Sequence, residues 1–169
     1  MMNHFRVVKY ITFSIEILLA LIIQSTPYLL PEVFGGKAIL LVPLAFSIAV
    51  FEEEIPAVIF GAVCGLLIDS GYSGPIGFYA ITLAITCYII SFLMANYVRT
   101  NLLTAMLTAL AAVPVVIFLQ FIFYYLLMEY DDAWGFFARH YISRIIYTLA
   151  FMPVFYGLNR FIAVRLSSK

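Results

Sequence analysis

The run FYAITLAITCYIISFLMANYV, residues 78–98, decides what kind of molecule this is. It holds no Asp, Glu, Lys, Arg or His. It is also long enough to cross the hydrocarbon core of a bilayer, which takes about 20 apolar residues in a helix. Composition makes the same point for the whole chain. Of 169 residues, 65% are hydrophobic and 11% charged, against roughly 45–50% and 25% in soluble domains. A globule of this size cannot hide so much apolar surface in its own interior, so the expectation is an integral membrane protein with one domain over residues 1–169.

Five more apolar segments flank this run. With their interfacial ends, the six spans are expected at residues 7–26, 36–53, 54–69, 76–98, 101–128 and 139–163. The fifth is long enough to tilt, and Pro114 is a candidate kink. The second and third carry shorter apolar runs and reach bilayer length only if Gly36, Lys37 and the Glu52–Glu54 cluster extend them. A re-entrant hairpin is the alternative. Two spans fit better, because Pro56 suits a first helical turn and glutamates suit a helix N-terminus. The fold class is therefore all-α, a compact bundle of six transmembrane helices.

The first segment has a basic start at Arg6 and Lys9, but Glu16 interrupts it and no small-x-small cleavage site follows. It reads as an uncleaved span. Lysine and arginine placement then puts both termini in the cytoplasm, with Arg6, Lys9, Arg99, Arg160, Arg165 and Lys169 at inside ends. Residues 69–77 face outward.

Zero net charge gives no sign of a nucleic-acid partner. Cys64 and Cys87 sit inside apolar runs with neither zinc nor disulfide spacing, and read as small buried hydrophobes. His4 and His140 lack partners for a triad or a metal site, and no serine sits in a nucleophile elbow. No enzyme, cofactor or metal is expected.

The segment GLLIDSGYSGPIG, residues 65–77, joins the third and fourth spans. One carboxylate is too few for calcium, and the lysine of a phosphate loop is missing. The reading is a structural corner built from Gly65, Asp69, Gly71, Gly74, Pro75 and Gly77. Asp69 ends a helix and accepts backbone N–H groups, while glycines permit positive φ. Gly61 and Gly65 form a small-xxx-small pair suited to close helix packing in lipid.

Glu16 and Arg144 are the ionisable residues well inside apolar segments. Run in opposite directions, the first and sixth spans place Glu16 roughly 13 Å from one face and Arg144 roughly 9 Å from the other. The gap of roughly 8 Å is one a long arginine can close. Two readings stand: an intramembrane ion pair, or an Arg144 that snorkels to the surface beside a neutral Glu16. The aromatic stretches at residues 121–130 and 133–141 read first as an interfacial belt, and more sharply as a docking patch for another protein.

The stretches LIIQSTPYLLP and GLLIDSGYSGPIGFYAI resemble the rod shape-determining protein MreD family. The resemblance rests on Gln24, Ser25 and Thr26, on Gly65, Leu66, Leu67 and Asp69, and on Gly74, Pro75, Gly77 and Ala80. Ile76 replaces the family's usual leucine, and the acidic cluster departs from the basic residues expected in that connection. The resemblance implies a non-catalytic component of the bacterial cytoplasmic membrane. Its implied partners are an MreC-like single-span protein, and more distantly MreB and a RodA/penicillin-binding-protein synthase. Gln24, Trp134 and Phe136 become candidate partner contacts. The family also looks like the S components of energy-coupling-factor transporters. That likeness supplies an alternative, a vitamin-binding subunit with Asp69, Tyr72 and Arg144 around a pocket.

Overall fold

A computed structural model describes residues 2–26, 39–71, 77–97, 100–123 and 142–167. The described residues form helices, in the order α1 (Met2–Ser25), α2 (Leu41–Phe51), α3 (Glu54–Gly71), α4 (Phe78–Asn96), α5 (Leu102–Phe121), α6 (Ile142–Ala150) and α7 (Met152–Ser167). Five stretches are long and apolar enough to cross a membrane: Arg6–Ser25, Glu54–Gly71, Phe78–Asn96, Leu102–Phe121 and Arg144–Arg165.

Each of these helices buries one narrow stripe and exposes the rest of its apolar surface. In α1 the buried stripe is Phe13, Ile17 and Ala20, whereas Ile11, Ile15, Leu18, Leu19 and Ile22 lie open. The same holds for Ile55, Ile59 and Leu66 on α3, Ile81 and Ile85 on α4, and Leu103, Leu107 and Leu110 on α5. Water would penalise that surface by about 25 cal/mol per Å². Lipid tails remove the penalty, so the exposed faces are the bilayer contacts of an integral membrane protein.

The second expected span differs from the others. Helix α2 has 11 residues, roughly 16 Å of rise, which is about half of the hydrocarbon thickness. Every residue from Leu41 to Val50 is buried. It packs against α3, α4 and α7 most extensively and touches α5, α1 and α6 as well. A helix that is apolar all round has no polar face to turn to solvent and sits in the core. Here it is the axis on which the membrane-length helices close.

The sixth span is two helices. Around Phe151 the backbone tightens to i→i−3 bonds, with Phe151 N–H on Thr148 O at 3.3 Å and Val154 N–H on Phe151 O at 3.2 Å. Pro153 offers no N–H to Leu149, which explains the break. Pro114, by contrast, lies inside an uninterrupted α5.

The bundle has two unlike ends. At one, the start of α1, the end of α2, the start of α3 and the end of α7 bring Arg6, Lys9, Glu52, Glu53 and Arg160 together. At the other lie the α3–α4 corner and the start of α2. The chain thus begins α1 and finishes α7 at the same, charged end.

Candidate functional site

Helix α4 opens at Gly77, whose φ of +104° is left-handed and suits a residue without a Cβ. The first N–H groups of any helix lack an intrahelical acceptor, and in a bilayer each orphan costs several kcal/mol. Asp69, in the last turn of α3, answers three of them. Its Oδ2 accepts from Gly77 N at 2.9 Å and Ala80 N at 3.2 Å, and its Oδ1 accepts from Tyr79 N at 3.2 Å. The side chain is only 3% exposed. Its position at the positive end of the α4 dipole adds further stabilisation. Gly71 has open space around it. Gly74, Pro75 and Tyr72 lie outside the described residues.

Below this corner α3 and α4 pack at backbone distance. A Cβ built on Gly65 would sit 2.4 Å from Ala80 Cα and Tyr79 O, and one on Gly61 would sit 2.9 Å from Cys87 Sγ and Leu83 O. The small-residue seam is therefore internal, and no partner helix can use it while α4 occupies it. Cys64 and Cys87 are buried and are not joined in a disulfide. The Cys87 thiol donates to Ala45 O of α2 at 3.6 Å.

Single polar side chains tie the other helices to α2 and to each other. Gln24 Oε1 accepts from Leu41 N, and Thr148 Oγ1 from Ile39 N, each at 3.3 Å, satisfying donors at the buried start of α2. Asn159 Nδ2 donates to Ser47 Oγ at 2.9 Å, joining α7 to α2. Ser91 Oγ donates to Glu52 O at 2.7 Å. The Tyr79 hydroxyl donates to Gln120 Oε1, joining α4 to α5. The sequence reading singled out none of Ser47, Gln120, Thr148 or Asn159. The available signal was that each is a lone polar residue inside an apolar run, where lipid allows it only with a partner.

Gln24, expected as a partner contact, has its carbonyl oxygen engaged on α2. Trp134 and Phe136 lie outside the described residues. The Glu16–Arg144 pair does not form: both Glu16 carboxyl oxygens are buried without a hydrogen-bond partner. Equal depth along two helices says nothing of the direction each side chain points. Glu16 stands on α1, which packs on α2, α7 and α3, while Arg144 stands on α6, which packs on α5, α2 and α7.

Two ion pairs lie at the charged end. Lys9 Nζ lies 2.5 Å from Glu52 Oε1, and Arg6 Nη2 lies 3.8 Å from Glu53 Oε1. Burial pushes the Glu52 carboxyl above its ordinary value, and the ammonium of Lys9 draws it only part of the way back. Among the described residues no three His, Cys, Asp or Glu side chains are grouped as metal ligands.

No curated protein and no solved structure matches the chain. A family model described as rod shape-determining protein MreD matches residues 4–162, from the first turn of α1 to the last turns of α7. That range holds the Asp69 corner, the glycine seam and the buried α2 together, and on it the chain belongs to the MreD family of rod shape-determining membrane proteins.

Proposed function

We propose that this chain is a non-catalytic scaffold in the bacterial cytoplasmic membrane, with both termini in the cytoplasm. It seats the transmembrane helix of an MreC-like partner and so helps organise wall synthesis along the cell side. The family match supports the shape-determining role. The observation that carries the scaffold reading is the internal use of the polar groups. Asp69, Gln24, Thr148, Asn159 and Gln120 each bond within the chain. The core is thereby braced, and the outer helix faces are left for neighbours.

Helix α1 is the best candidate seat. Only 17% of its apolar window is buried, against 28–33% for the other four spans. Its outer face, Ile11, Ile15, Leu18 and Ile22, forms a continuous apolar strip on which a second helix can pack. The vitamin-binding alternative needs Asp69 turned toward a pocket, whereas both of its oxygens face α4.

The test is co-purification with the MreC-like protein from membranes. Ile15→Trp with Leu18→Trp on α1 is expected to lose the partner, while Ile81→Trp with Ile85→Trp on α4 retains it. Retention by both pairs would remove α1 as the seat. Turnover of any substrate by the purified chain would remove the non-catalytic reading.

A further inference from the structure

At the charged end, a cavity of about 510 Å³ opens between the end of α2, the start of α5 and the last turns of α7. Its volume falls in the usual range of small-molecule sites, roughly 300–1,000 Å³. Phe51, Tyr156, Ala163 and Val164 supply apolar walls, and Thr100 and Arg160 supply a hydroxyl and a guanidinium. Tyr156 is 2% exposed, and its ring packs on Phe51 at 5.2 Å, so the apolar floor is firm.

Arg160 is set apart from the other described cations at this end. Arg6 and Lys9 face Glu53 and Glu52, and Arg165 lies 4.7 Å over the ring of Phe161. Arg160 takes part in no ion pair or hydrogen bond among the described residues. It also lies five residues before Arg165, roughly 7.5 Å further along the helix toward the bilayer centre. A cation at that depth, beside apolar walls and without an acidic partner, calls for an anion that brings its own hydrocarbon. Guanidinium matches phosphate oxygens through paired N–H donors, and basic pockets between transmembrane helices suit lipid head groups.

The geometry points to a binding site for an anionic bilayer phospholipid, with its phosphate on Arg160 and Thr100 and the first carbons of its acyl chains against Val164, Ala163 and Phe51. This goes beyond the scaffold reading and does not depend on it, because the site lies on α2, α5 and α7 and not on α1.

The experiment is native mass spectrometry of the purified full-length chain. The protein is titrated with phosphatidylglycerol, with phosphatidylcholine of the same acyl chains, and with inorganic phosphate. The wild type is expected to hold phosphatidylglycerol in clear preference to phosphatidylcholine and to ignore inorganic phosphate at the same concentration. Arg160→Gln is expected to weaken phosphatidylglycerol binding about tenfold, the loss of one charge-assisted contact. Arg165→Gln leaves most of it. Ala163→Phe fills the cavity without touching charge and should also lower retention, so it decides the matter alone if Arg160→Gln does not fold. An unchanged lipid preference in Arg160→Gln or in Ala163→Phe overturns the site. Inorganic phosphate binding as well as the lipid overturns the lipid assignment and makes the occupant a soluble anion.

Discussion

At Asp69 one side chain answers three backbone donors from the next helix, across a corner eight to eleven residues away. Asp69→Ala strands those N–H groups in a buried site. It is expected to cost about 3–5 kcal/mol, since bonds to charged groups contribute roughly 1.5–3 kcal/mol each and do not add fully. Asp69→Asn keeps one acceptor oxygen and should lose less. Thermal unfolding in detergent ranks the two, and an alanine variant as stable as wild type would refute the cap. Gly65 makes a second prediction. The nearest atoms to an added Cβ are backbone atoms of Tyr79 and Ala80, which cannot rotate away, so Gly65→Ala should cost about 2–3 kcal/mol. Gly61→Ala meets Cys87 Sγ and Leu83 O at 2.9 Å and should cost less. Equal melting temperatures for the two would show that the seam yields. Both residues were legible in the sequence because their chemistry is local: an aspartate before a glycine-rich turn, and glycines four apart. The Glu16–Arg144 expectation failed because helical rise gives depth, whereas azimuth depends on how α1 and α6 are each rotated in the packed bundle.

Helix by helix, the expected spans 54–69 and 76–98 compare with α3 at Glu54–Gly71 and α4 at Phe78–Asn96, whereas the fifth was expected to run to residue 128 and α5 ends at Phe121. Hydropathy overrated α2, because an apolar run reads the same whether lipid or protein surrounds it. The 11-residue length and the all-round burial are what distinguish the cases. It also treated the sixth segment as one span, although Pro153 was visible and no N–H could be donated there. The polar pair Ser47–Asn159 now tests how α7 is fixed to α2. Ser47→Ala and Asn159→Ala are each expected to lower stability, and the double variant to lose less than the sum. The coupling should be roughly 0.5–1.5 kcal/mol, the range for hydrogen bonds between transmembrane helices. A coupling of zero would mean the bond contributes nothing in the membrane.

For the whole molecule, the contrast between its ends governs response to pH. Glu52 is held above the ordinary carboxyl value of 4.5, first by burial. The folded chain therefore binds that proton more tightly than the unfolded chain does. Its contribution to stability is complete below 4.5 and declines as pH rises through the raised folded value. Glu52→Gln removes this titration, so its stability relative to wild type should improve as pH increases from about 4 to 8. Melting curves of both proteins across that range check the sign, and a constant difference would show that Glu52 titrates normally.

The enclosure of α2 also bears on biosynthesis. Helices emerge from the ribosome in chain order, and α2 comes second, yet Asn159 and Tyr156 that cover it come last. A nascent chain halted before residue 142 would carry a short apolar rod with one flank bare. Maturation then waits on the final, kinked span, so clipped products are expected to be quality-control substrates even when most of their membrane segments have inserted.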